Sequence, residues 1–94
     1  MAEWNFLTNH GRALLCIAHD PGVRLRDIAE ELGITERTAF GIVADLTLAG
    51  YVTKDRDGRR NRYEIQVQQP LKESIGREVA IGEVLELLVE AKAR

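Results

Sequence analysis

Five basic side chains fall within nine residues of this chain: Lys54, Arg56, Arg59, Arg60 and Arg62, opposed locally by Asp55 and Asp57 alone. An arginine guanidinium is a permanently charged, planar fork of N–H donors that matches the oxygens of a phosphate. Asn61 adds a side-chain amide among them. A second group lies upstream in the run Thr35-Glu36-Arg37-Thr38, where a helix is expected to begin. A helix start carries unpaired amides and a partial positive charge. Arginine placed there can pair with a guanine edge, and threonine with a base or a phosphate. The two groups make separate claims on one kind of partner, a polyanion with hydrogen-bonding edges.

The elements that must position these groups follow from spacing. Thr8 is suited to cap a first helix of roughly Asn9 to Ala18, with Leu14, Ile17 and Ala18 on one face. Asp20-Pro21-Gly22 stops it, and Val23 to Leu25 reads as a short strand. A second helix, near Arg26 to Leu32, buries Ile28, Ala29 and Leu32. Gly33 then supplies the left-handed backbone of a helix end. Thr35 caps a third helix reaching about Ala49, with Ala39, Ile42, Val43 and Leu46 inward. That leaves Thr35, Glu36, Arg37, Thr38, Phe40, Gly41, Ala44 and Asp45 outward, with Asp45 read as facing solvent. Two helices crossing with a glycine between them, the small Ala29 at their contact, form a helix-turn-helix.

Strands are expected at Tyr51 to Asp55 and Arg62 to Val67, where Tyr63, Ile65 and Val67 alternate with polar residues. Asp57-Gly58 is the turn pair between them. Arg56, Arg59, Arg60, Asn61 and Arg62 thus fall on the hairpin, in reach of a flanking backbone or a minor groove. After Gln68-Gln69-Pro70, a last helix from about Gly76 to Lys92 carries Ile81, Val84, Leu85, Leu88 and Ala91 on one side. A terminal apolar side of this kind suits a two-fold partner, so Ile81, Val84, Leu85 and Leu88 are the expected dimerisation residues, with Trp4, Phe6 and Leu7 beside them.

Composition bounds the alternatives. Ninety-four residues, 45% hydrophobic and 30% charged, are those of one globular domain. The net charge is -2, but phosphate responds to the local field, and many of the acids lie outside the basic cluster. No apolar run approaches the roughly 20 residues of a membrane span. The start MAEWNFLTNH lacks the features of a secretory signal, so a cytoplasmic location is expected. Cys16, the only cysteine, sits among Leu14, Leu15 and Ile17 and reads as a buried, inert thiol. His10 and His19 form no recognisable metal site and read as surface or capping residues. With no phosphate loop, carboxylate pair or nucleophile-base pair, the reading is a non-enzyme without metal or cofactor.

The stretch from Asn5 to Val67 resembles small bacterial winged-helix transcriptional regulators of the MarR-like type, most specifically in LGITER, IVADL, AGYVT and GRRNRYE. The resemblance implies a mainly α fold with a small β-hairpin: a winged helix-turn-helix, three-helix core plus wing, with a C-terminal helix. It implies a homodimer with double-stranded DNA as partner, and names no target gene and no small-molecule effector. Residues 1–70 are then the DNA-binding domain and 71–94 a dimerisation helix. The chain departs from the pattern at Phe40 and Gly41, where such regulators carry polar or basic residues. Phe40 suits a thymine methyl or a protein surface equally. The alternative function is therefore a winged-helix protein-interaction module with weak or no DNA binding.

Overall fold

Hydroxyl caps and closing turns set the frame. The Thr8 side chain accepts from the Gly11 amide at 3.3 Å, starting α1 (Asn9–His19). The Asp20 carboxylate then accepts from the Gly22 amide at 3.0 Å, and the chain turns toward α2 (Leu25–Leu32). Gly33 follows at φ 72°, a conformation costly for any residue with a Cβ. Its amide and that of Ile34 bond back to Glu30 and Ala29, which sends the chain sharply into α3 (Glu36–Leu48). The same bond pattern, Gly50 to Thr47 and Tyr51 to Leu46, closes α3 and launches the hairpin. Strands β1 (Val52–Asp57) and β2 (Arg60–Ile65) pair antiparallel, and α4 (Ile81–Leu88) follows. This computed structural model describes residues 4–57, 60–73 and 75–89.

The architecture is the expected one, mainly helical with a two-stranded wing and a C-terminal helix. One core unites it. Ala13, Leu14 and Ile17 of α1 meet Ile28, Ala29 and Leu32 of α2 and Ala39, Ile42, Val43 and Leu46 of α3. Val52 and Tyr63 bring the base of the hairpin onto that core, and Ile81 and Leu85 bring α4. Fully burying the leucine, isoleucine and valine side chains among these stabilises by roughly 1.5–3 kcal/mol each.

Several expectations are corrected. Val23 to Leu25 is not a strand: Leu25 opens α2, and the extended residue before it, Arg24, is the helix N-cap. The Tyr63 amide reaches past this segment to the Pro21 carbonyl at 2.9 Å. The strands lie closer to the hairpin tip than expected, with Arg56 opposite Asn61 and Asp57 opposite Arg60. Gly58 and Arg59 of that tip lie outside the described residues. The last helix starts at Ile81, not Gly76, because the amides of Ile81 and Gly82 go to the carbonyls of Gln69 and Val67. It ends at Leu88, capped by an extended Val89, and Ala91 and Lys92 lie outside the described residues.

The apolar side of α4 is also divided differently. Ile81 and Leu85 are buried in the core rather than held out for a partner, while Val84 is half-buried and Leu88 is exposed. A helix packed across α1 uses its own first two turns to complete the monomer. Trp4 and Phe6 are exposed and meet each other edge-on, ring centres 4.9 Å apart.

Candidate nucleic-acid interface

The start of α3 is locked by one hydroxyl. Thr35 accepts from the Thr38 amide at 3.1 Å and donates to the Thr38 hydroxyl at 3.0 Å. Thr35 is therefore engaged as the cap, and Thr38 keeps its own hydroxyl proton for another partner. Arg37 lies between them, exposed.

The outward face of α3 follows from the helical period of about 100° per residue. Ala39, Ile42, Val43 and Leu46 are buried, so Arg37, Gly41, Ala44 and Leu48 run along the opposite line. Phe40 lies on the flank toward the hairpin, where it lines a groove of about 260 Å³ with Leu48, Lys54, Asn61 and Tyr63. It is 59% exposed. A Cβ built on Gly41 meets nothing within 4 Å, so the glycine satisfies no packing need of the fold.

Strand alternation sorts the hairpin charges into two faces. Val52 and Tyr63 face the core, and the two-residue period carries Lys54 and Arg56 onto that same face of β1, opposite Tyr63 and Asn61. These groups therefore continue the core-facing side of the wing outward, alongside α3. Arg62 lies on the other face, in register with Asp55. Arg60 pairs in register with Asp57, and Arg59 lies outside the described residues.

Of the expected site residues, the fold thus brings Arg37, Phe40, Gly41, Arg56 and Asn61 to one side of the molecule. Arg62 is turned to the other hairpin face. Lys54 was missing from the expected contacts. Counting two residues on from buried Val52 is the sequence signal that finds it.

On the opposite flank of α3, Asp45 does not simply face solvent. Its Oδ2 lies 2.8 Å from His10 Nε2, which ties the start of α1 to the middle of α3. Both partners are exposed, and such a pair contributes little, about 0–1 kcal/mol. Cys16 is half-buried rather than buried. Burial, and secondarily the Glu31 carboxylate, push its thiol up against the opposing effect of Arg12, which suppresses the reactive thiolate. Among the described residues, no cluster of histidine, cysteine and carboxylate side chains is arranged to hold a metal ion, and no helix is long and apolar enough to cross a membrane.

No curated protein and no solved structure matches the chain. A family model described as MarR family matches residues 4–60, from Trp4 through α1, α2, α3 and β1 to the first residue of β2. With more than half of its length matched and the winged-helix architecture in place, the chain belongs to the MarR family of transcription regulators.

Proposed function

We propose that this protein regulates transcription by binding duplex DNA as a homodimer, with α3 in the major groove and the hairpin on the flanking backbone or minor groove. The observation that carries this reading is the placement of Lys54, Arg56 and Asn61 on the hairpin face that adjoins the exposed flank of α3. A helix set in a groove leaves a phosphate ridge on each side, and cations beside the helix neutralise it. Arg37 at the start of α3 supplies a base or phosphate contact.

Dimerisation would set two α3 helices on one duplex, about 34–36 Å apart for half-sites one turn apart. The exposed Leu87 and Leu88 near the end of α4 are the proposed contact, in place of the buried Ile81 and Leu85.

The test is affinity of the full chain for a mixed-sequence duplex as a function of salt. Each phosphate contact contributes about 0.9 to the slope of log affinity against log salt. Replacing Lys54 and Arg56 together by alanine should flatten that slope by about 2, and Arg62→Ala should leave it nearly unchanged. An unchanged slope in the double variant removes this face of the wing from the interface.

A second reading is favoured by one observation, the exposure of Phe40 and Leu48 on α3 of an acidic protein. It makes the same face a protein-docking surface. Absence of DNA binding at low salt, with capture of a protein partner that Phe40→Ala abolishes, would select it.

A further inference from the structure

The face of α3 offered to a groove holds few groups that can read bases by hydrogen bonding. Thr35 is engaged as the cap. Asp45 is paired with His10, and Glu36, whose carboxylate suits only a cytosine amino group among base edges, repels the phosphates around it. Arg37 and the Thr38 hydroxyl remain, both in the first turn. Beyond them the outward line is Gly41, Ala44 and Leu48, with Phe40 exposed on its flank toward the hairpin.

Apolar side chains have one partner on the floor of a major groove, the C5-methyl of thymine. We infer that α3 reads thymine methyl groups, with Phe40 as the contacting side chain and Gly41 and Ala44 as the small residues that bring the helix close to the base edges. The inference rests on the DNA-binding reading and names the feature of the DNA that confers specificity. Two observations converge on it. Phe40 is 59% exposed although its groove offers apolar walls, so burying it on a partner is favourable. Gly41 has open space around it, so its missing side chain serves no internal contact. A glycine inside a helix costs about 1 kcal/mol relative to alanine, and close approach by a partner is a use for that cost.

The consequence is a preference for sites with thymine at a fixed position in each half-site, set apart from any guanine paired with Arg37. Reading by methyl contact also predicts indifference to the Watson–Crick partner atoms at that position.

The experiment selects bound sequences from a random duplex library with the full chain, then remakes the winning duplex with deoxyuridine in place of thymidine, one position at a time. Deoxyuridine keeps every hydrogen bond and removes only the methyl. At one thymine per half-site the exchange should weaken binding about fourfold, the fold-change equivalent to about 0.8 kcal/mol for one buried methyl group. Phe40→Ala should bind the thymine and uracil duplexes alike, and Phe40→Leu should restore the difference. Circular dichroism of Phe40→Ala should match the parent, since the ring is mostly exposed. If a selected sequence binds tightly yet uracil exchange has no effect at any position, the methyl-reading inference fails and the DNA-binding function stands. If no sequence is bound even at low salt, the DNA-binding reading fails and takes the inference with it, leaving the apolar strip to a protein partner.

Discussion

The Gly82 amide donates to the Val67 carbonyl at 2.9 Å, and a Cβ on Gly82 would stand 2.6 Å from the Val67 Cβ and 2.9 Å from that carbonyl oxygen. The start of α4 is thereby pressed against the chain leaving β2. Neighbouring bonds extend the contact: Ile81 to Gln69, Leu71 to Val79, and the Tyr51 hydroxyl to the Pro70 carbonyl at 2.6 Å. Wing and terminal helix are mechanically joined through this strip.

Gly82→Ala should therefore destabilise the protein by about 1–3 kcal/mol, the usual cost of forcing extra carbon into a packed contact. Gly41→Ala is the matched control. With nothing within 4 Å of its Cβ position, it should stabilise by up to about 1 kcal/mol. Urea denaturation of both variants checks the pair, and a stability loss in Gly41→Ala would contradict the open surface assigned there.

The two halves of α4 should separate under mutation. Leu85 is buried against the core, so Leu85→Ala should cost about 2–5 kcal/mol in stability. Leu88→Glu replaces an exposed side chain and should leave the monomer fold intact while shifting sedimentation from dimer to monomer. A chain that sediments identically with and without Leu88→Glu would remove the proposed interface.

Alkaline sensitivity should centre on Tyr63. Burial pushes its phenol above the ordinary value. In the unfolded chain the phenol loses its proton near about 10, whereas the folded chain holds it to higher pH. Stability from this group is present below that pH and lost as pH rises through the folded value, because there the unfolded state binds fewer protons. Thermal unfolding followed from pH 8 to 11 should show a falling midpoint, and Tyr63→Phe should shallow the fall.

Much of the fold was legible because local rules and burial agreed. Thr8, Thr35, Gly33 and Gly50 mark helix ends by chemistry that acts within a few residues, and the structure places each at a cap or turn. The inward faces of α2 and α3 followed from their helical period, since a side chain on the wrong side would leave apolar area in water. What failed was the terminal segment. Its apolar pattern was genuine, but pattern alone does not say which surface covers it or where a helix yields to an extended strip.

The sequence by itself determined the three helices, the hairpin, the basic cluster and the MarR-like character of residues 5–67, since each depends on residues near one another in the chain. Only the tertiary structure decided which charges stand together. The strand register put Lys54 and Arg56 on the face beside α3 and Arg62 on the opposite face, in register with Asp55, and the docking of α1 on α3 gave Asp45 its partner His10, 35 residues away. It also assigned Ile81 and Leu85 to the core, because burial depends on what the folded chain brings opposite a side chain, and the order of residues does not contain that.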